Sequence, residues 1–395
     1  MRVLMSIHQD LDPRTGTGGV TCLLADALRR RGHTVDILSF ERVSAPDRFK
    51  AYFYPWFVAS FIATHPPYDV LDLSSRDGWV LSALRKVLPR KSPQVIIARS
   101  HGLEHLLHAA RLNAHRAGTT KLPWTYPIYK GGFRLWECRT SLSLANAALF
   151  LNRVELQHAV ERLGVDPSRA VRVRNGIGDC FVQNAKSLLN RKLSVGSPKN
   201  VAFIGRYSDL KGAYYLRVAM QSVLSKNPNS TLGLFGTMVD RESVLAEYPS
   251  EIRNRIHVVP AYENDQLPSL LAGYHILAFP SLFEGFGIAP LEAMACGVVP
   301  VVAATPGPMS YIESGRNGVL VPVGDVQALE EEITRLMDDL PRWIDLRRGG
   351  LATAIDCSWD DVASDTERIY AQFTAGNVSG SKSLAFGMDP CTWSR

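Results

Sequence analysis

The chain has 395 residues, 46% hydrophobic and 21% charged, with a net charge of +6. That is the composition of a globular protein, long enough for two or three domains with a full core each. Six scattered cysteines (Cys22, Cys138, Cys180, Cys296, Cys357, Cys391) have no paired spacing, which argues against a disulfide framework or a zinc site and fits a reducing compartment. The apolar run at Met1–His8 is too short for a signal peptide, and no apolar run reaches the roughly 18 residues of a membrane span. The expected location is the cytoplasm, with peripheral contact to the inner face of a membrane left open.

Charge is unevenly spread. Between Arg76 and Leu142 there are twelve Lys/Arg against three Asp/Glu, so the rest of the chain is net acidic. This favours an anionic partner on one face of the N-terminal half, or a solvated basic surface.

The first half alternates short apolar runs with amphipathic segments, the pattern of βαβ units on a parallel sheet. Strands are expected at Val3–Ile7, Val35–Phe40, Val70–Leu73, Val95–Ala98 and Ala147–Leu151, and Val171–Ile177 ends in an Asn-Gly turn. After the first strand come Gly16, Gly18 and Gly19, read as a loop that lets backbone approach a ligand, or as a plain tight turn. Residues 51–63 are rich in aromatics and read as a core helix, with an acceptor or membrane-contact surface as the alternative. His101 follows the fourth strand directly, at the sheet edge where an imidazole donates a hydrogen bond or stabilises charge. No third ligand accompanies His101 and His105, and no metal site is expected.

Residues 183–199 are polar and read as a linker. A second α/β series follows, with strands at Asn200–Ile204, Thr231–Phe235, Ile256–Val259, His275–Phe279, Val298–Ala303 and Gly318–Val321. Gly205-Arg206 follows the first of these, and Lys211-Gly212 opens a helix, an arrangement suited to clamping a diphosphate. The stretch from Phe279 to Gly297 is a strand end, a glycine-rich loop and a helix start. Its free amides suit an anion, while Glu284 and Glu292 suit hydroxyls, so the ligand expected is part phosphate and part polyol. Helices are expected from about Val326 to Met337 and from Trp359 to about Phe373, and residues 375–395 read as a disordered tail.

With these elements in order, the sequence resembles glycosyltransferase family 4, retaining enzymes of the GT-B fold. The resemblance is carried by Gly18-Gly19, Arg30-Arg31-Gly32-His33, Ser100-His101-Gly102, Arg174-Asn175-Gly176, Gly205-Arg206 with Lys211-Gly212, and Glu284-Gly285-Phe286-Gly287 with Glu292-Ala293. Glu284 and Glu292 form the family's E-x7-E motif. One departure is Ser310, which stands where the family often has a glutamate.

The resemblance implies an α/β fold of two Rossmann-like domains facing across a cleft. Residues 1–182 would form the acceptor domain, joined by the C-terminal helix 358–374 crossing back to it. Residues 183–199 would link it to a nucleotide-sugar domain at 200–357. Arg206 and Lys211 would hold the diphosphate, and Glu284 the transferred sugar. Gly205 and the loop at Phe286, Gly287 and Ile288 would contact sugar and phosphates, Glu292 the ribose, and Tyr262 the region of the base. His101 would line the sugar pocket, with Gly18 and Gly19 closing over the phosphates. The implied function is retaining transfer from a nucleotide-sugar to a glycan or lipid-linked acceptor in polysaccharide biosynthesis, without cofactor or metal and without nucleic acid. Alternatives are a GT-B epimerase or phosphorylase, or a non-catalytic sugar-nucleotide-binding protein.

Overall fold

The structure, a computed structural model, describes residues 1–12, 16–85, 94–191, 196 and 198–375. It divides into two compact units. Of the described residues, those within 1–109, 122–176 and 359–375 form the first, and those within 110–121 and 177–358 the second.

The first unit is built on six parallel strands, β1 (Arg2–Ser6), β2 (Thr34–Leu38), β3 (Val70–Ser74), β4 (Val95–Arg99), β5 (Ala147–Phe150) and β6 (Ala170–Arg172), in the order β2-β1-β3-β4-β5-β6. The helices α1 (Gly16–Arg30), α2 (Asp47–Thr64), α3 (Trp79–Leu84), α4 (Glu104–Arg116), α5 (Arg134–Leu144) and α6 (Arg153–Leu163) alternate with them along the chain. β3, β4 and β5 are buried throughout, which accounts for their nearly unbroken apolar sequences.

Two charges interrupt that pattern, and they answer each other. Arg99 on β4 donates from Nε and Nη2 to the Asp72 carboxylate on β3 at 2.6–3.0 Å. Tyr370 Oη donates to the same carboxylate at 2.5 Å. Tyr370 lies on the last helix, α14 (Trp359–Thr374), which also buries Trp359, Val362, Ile369 and Phe373. Arg30 and Arg31 at the end of α1 pair with Asp360 and Glu367 on α14. The terminal helix is therefore part of the first unit's own fold.

The second unit repeats the plan, with α7 (Asp179–Leu189), β7 (Val201–Ile204), α8 (Ala213–Lys226), β8 (Leu232–Phe235), α9 (Arg241–Ala246), β9 (Ile256–Val259), α10 (Leu267–Leu270), β10 (Ile276–Phe279), α11 (Ile288–Ala295), β11 (Val299–Ala303), β12 (Val319–Val321), α12 (Val326–Asp338) and α13 (Leu340–Ile355). Its strand order is β12-β11-β10-β7-β8-β9, all parallel.

Several expectations need correction. The segment expected as a linker from 183 begins inside α7, which belongs to the second unit. Phe181, Val182 and Ala185 bury one face of that helix, which packs on α11 and α13. The boundary thus falls after Gly176 rather than after residue 182. The long helix α13, buried through Trp343, Leu346 and Leu351, was not anticipated, because its apolar residues are interspersed with arginines and a Gly-Gly pair. Residues 51–63 are helical but only partly core. Tyr54, Val58, Ala59 and Ile62 are buried, while Tyr52, Phe53 and Trp56 are exposed. The expected disordered tail, apart from Ala375, lies outside the described residues.

Removing the Tyr370 hydroxyl leaves a buried ion pair short of one donor. Tyr370→Phe is expected to lower stability by about 1.5–3 kcal/mol, read as a reduced urea midpoint without loss of helical signal.

Candidate active site

In an open parallel sheet, ligands bind outside the carboxyl ends of the strands where strand order reverses. In the second unit that reversal lies between β7 and β10. The loops leaving these two strands are Gly205–Gly212 and Pro280–Gly287.

The first loop turns at once through Gly205, whose φ is +135°. Arg206 follows, exposed, and its side chain makes no hydrogen bond or ion pair among the described residues. A short helical turn, Asp209–Lys211, ends in Gly212 at φ +76°. A Cβ on Gly212 would stand 2.1 Å from the Pro280 carbonyl oxygen. Glycine is thus what lets the two loops lie against each other, and Leu282 N–H donates to Leu210 O at 2.9 Å to join them.

Across that seam Lys211 Nζ sits 2.6 Å from Glu284 Oε1 and 5.6 Å from the centre of the Phe279 ring. The lysine side chain is one-third exposed and the glutamate is nearly buried. A cation and a carboxylate are therefore held in contact at the reversal, and an arginine without a hydrogen bond or ion pair among the described residues lies on the same loop as the lysine.

The second loop ends at Gly287, the residue before α11, with φ +80°. The first-turn amides of that helix are without intrahelical acceptors and carry its positive end. The loop is backed by the turn at residues 305–310. Gly307 N–H donates to Glu284 O at 3.0 Å, and a Cβ on Gly307 would lie 2.6 Å from the Phe286 backbone. Tyr311 Oη donates to Gly287 O, and its ring packs 5.3 Å from that of Phe286. Ser310 Oγ donates to Gly307 O at 2.6 Å, so its side chain closes its own turn. Sequence reasoning missed Tyr311, for which no spacing signal exists.

Glu292 lies one turn into α11 and is buried. Burial pushes its carboxyl from 4.5 up to about 7, opposed by a hydrogen bond from the Asn264 side chain. Tyr262, in the loop after β9, covers Gly236, where a Cβ would meet the ring at 3.1 Å. Burial and the neighbouring Glu292 raise its phenol as well. Gly205, Arg206, Lys211, Tyr262, Glu284, Phe286, Gly287, Ile288 and Glu292 thus all belong to one unit, on loops and a helix start at the carboxyl end of its sheet.

The remaining expected residues lie in the first unit. Gly18 and Gly19 are buried in the first turns of α1, not in a loop, because that helix already begins at Gly16. His101 follows β4 as expected, but it is not a cation. Burial, then the Arg99 charge, pushes its imidazole down to about 3. At neutral pH it offers one N–H and one lone pair, and no positive charge.

Residues 14–179 match the family described as Glycosyltransferase Family 4, and residues 186–348 match Glycosyl transferases group 1. The chain belongs to glycosyltransferase family 4. It is 29% identical over 255 residues to the D-inositol 3-phosphate glycosyltransferase of Salinispora arenicola, covering 59% of this chain and 56% of that protein. The chain thus spans little more than half the length of that curated relative. Sucrose-phosphate synthase from Thermosynechococcus elongatus superposes with a TM-score of 0.75 at 18% identity, covering 95% of this chain and 99% of that one. Anabaena HepE in complex with UDP-glucose does so with a TM-score of 0.67 at 18% identity, over 94% of this chain and 100% of that one. The fold is GT-B.

The position of Glu292 has a consequence for stability. Its folded value, about 7, lies above its ordinary 4.5, so folding favours the protonated form. Its contribution is therefore least unfavourable below pH 4.5 and worsens as pH rises through 7. Without ligand, Glu292→Gln is expected to raise the melting temperature by a few degrees at pH 8. At pH 5 it should change it little, as scanning calorimetry at the two pH values would show.

Proposed function

We propose that this glycosyltransferase moves a sugar, with retention of configuration, from a nucleotide-sugar to a glycan or lipid-linked acceptor in cell-surface or extracellular polysaccharide assembly. The observation that carries this reading is the meeting of Arg206, the Lys211–Glu284 pair and the amides opening α11 at the reversal of the second sheet. A diphosphate needs cations and amide donors, and a sugar needs carboxylate acceptors. This group supplies all three.

In the proposed reaction the bond between the anomeric carbon and the donor's phosphate oxygen breaks, and negative charge gathers on the departing diphosphate. Arg206 and Lys211 take that charge, and the amides at Gly287 and Ile288 solvate it without reorganising. Lys211 then exchanges part of its contact with Glu284 for phosphate, which frees Glu284 to accept from sugar hydroxyls. The acceptor oxygen bonds the same face of the anomeric carbon, and its proton passes to the departing phosphate. Glu292 accepts from the ribose hydroxyls, and Tyr262 lies toward the base. With two cations in place the reading requires no divalent metal.

Arg206 is exposed and unpaired, so its removal tests chemistry without disturbing packing. Arg206→Ala is expected to lower sugar transfer about a hundredfold or more with an unchanged melting temperature. Near-normal transfer by the folded variant would remove it from the site.

The same proposal includes peripheral binding to an anionic membrane, where a lipid-linked acceptor would reside. It rests on an exposed aromatic group in the first unit. Trp79 packs edge-on against Trp56 and Trp136, with ring centres 5.6 and 5.0 Å apart. Phe133 stacks on Trp136 at 5.4 Å. Trp56 and Trp136 are about half exposed, and Trp124 is 85% exposed. Exposed Lys130 and Arg139 flank them in sequence. Aromatic rings with basic neighbours suit the headgroup region of an anionic bilayer. Among the described residues no helix is long and apolar enough to cross a membrane. Co-sedimentation is expected with phosphatidylglycerol vesicles at low salt, to be lost at high salt, with neutral vesicles and in Trp56→Ala/Trp136→Ala. Binding indifferent to lipid charge and salt would overturn it.

A further inference from the structure

The first unit has a strand reversal of its own, between β1 and β3, and the residues at that point are not absorbed by the donor chemistry. β1 ends at Ser6 and is followed by Ile7 and His8; β3 ends at Ser74 and is followed by Ser75, Arg76 and Asp77. The two strands pair in parallel, with Ser6 opposite Leu73. Their carboxyl ends therefore lie side by side, the place where an open parallel sheet receives a ligand.

Across that reversal His8 Nδ1 and Asp77 Oδ1 are 3.0 Å apart. Asp77 is fully buried, and its other oxygen accepts from Ser6 Oγ at 2.7 Å. Ser74 N–H donates to Ser6 Oγ at 3.1 Å, and Ser74 Oγ donates to Ser6 O at 2.8 Å. The carboxylate is thus fixed from two sides and faces the imidazole as an acceptor. That assigns the proton to Nδ1 and leaves a lone pair on Nε2. The His8 side chain is 21% exposed, and Nε2 has no hydrogen-bond partner among the described residues.

We propose that His8 binds the acceptor, its Nε2 receiving a hydrogen bond from an acceptor hydroxyl, and that Asp77 is the positioning residue that fixes its tautomer. The proposal rests on the glycosyl-transfer reading above and names the acceptor side of the same reaction. The ligand chemistry is a polyol or sugar hydroxyl. A bare imidazole nitrogen beside a buried carboxylate accepts a hydrogen bond and has nothing to offer a phosphate. Burial and the Arg76 charge hold the imidazole below its ordinary value of 6.5, against the pull of Asp77. The lone pair is therefore present at neutral pH. Arg76 donates from Nη1 to Tyr129 Oη at 2.9 Å.

The proposal separates acceptor from donor, and that separation is what an experiment reads. With UDP-glucose as donor and D-inositol 3-phosphate, free glucose or an alkyl glucoside as acceptor probes, His8→Phe is expected to lower kcat/KM for the acceptor at least tenfold. UDP-glucose affinity by titration, and the melting temperature, are expected to stay as in the wild type. His8→Gln, whose side-chain oxygen reaches toward the place of Nε2, should recover most of the loss. Asp77→Asn should fall between the two, with acceptor KM raised more than kcat is lowered. A purely structural role would lower the melting temperature and donor affinity together, and His8→Gln would not recover. Wild-type transfer matched by equal transfer from His8→Phe overturns the role of His8 alone. Failure of the wild-type protein to transfer to any probe, or to bind UDP-glucose, overturns the reading on which it rests, and the assignment falls with it.

Discussion

Strand reversal in a parallel sheet governs both units. Right-handed crossovers send successive connections to one face of the sheet until the order reverses, and then to the other. At the reversal the two connections run to opposite faces of the sheet, and the carboxyl ends of the two neighbouring strands are where a ligand is received. In the second unit this happens between β7 and β10, and in the first between β1 and β3. Arg206, Lys211 and Glu284 follow one pair of strands, and His8 and Asp77 the other. The residues with unspent polar capacity are therefore where the backbone topology leaves room for a ligand.

Within the second unit, steric closeness sets the electrostatics. Gly212 permits the Pro280 carbonyl to approach to a distance no side chain would allow. That contact brings Lys211 to within 2.6 Å of Glu284. A half-buried cation beside a carboxylate is stable without ligand, because each lowers the desolvation cost of the other. On the proposed reading the pair opens when a diphosphate takes the lysine. Tyr311 and Gly307 brace the backbone on the far side of the loop, so a ligand meets amides that are already oriented.

Much of this was legible in the sequence, and the exceptions have physical causes. Apart from Val171–Ile177, whose strand already ends at Arg172, the strands are legible to within one or two residues, because strands of a parallel sheet are short apolar runs bounded by polar ones. The E-x7-E stretch and the Arg206–Lys211 segment were legible because glycine and charge follow directly on a strand. Strand order was not legible, since nothing local states which strands are neighbours. His8 and Asp77 are 69 residues apart and become a pair only through that order. The part of α7 from residue 183 on reads as a linker because the helix's exposed face is polar, and three buried residues make a weak period. The lowered imidazole of His101 was not legible, since its burial and the direction of the Arg99 guanidinium are set by tertiary packing.

Three glutamates with similarly raised carboxyls show why environment alone does not mark function. Burial pushes Glu137, Glu155 and Glu292 each up to about 7. Glu155 receives Ser100 Oγ, Leu103 N–H and Leu151 N–H, which satisfy both oxygens and tie α6 to the end of β4. It is a structural carboxylate whatever its titration. Glu137 accepts from Trp79 Nε1 at 3.2 Å, while its other oxygen, 3.7 Å from Arg76, has no hydrogen bond. It anchors the aromatic group from beneath. Glu292 is opposed only by Asn264 and lies on the helix whose start forms the glycine loop. Of the three, it alone combines a strained charge state with a place at a strand reversal. On the proposed reading of Glu292, what separates a ligand-reading carboxylate from a buried scaffold one is the number of lone pairs the fold leaves unanswered and where the backbone leaves them.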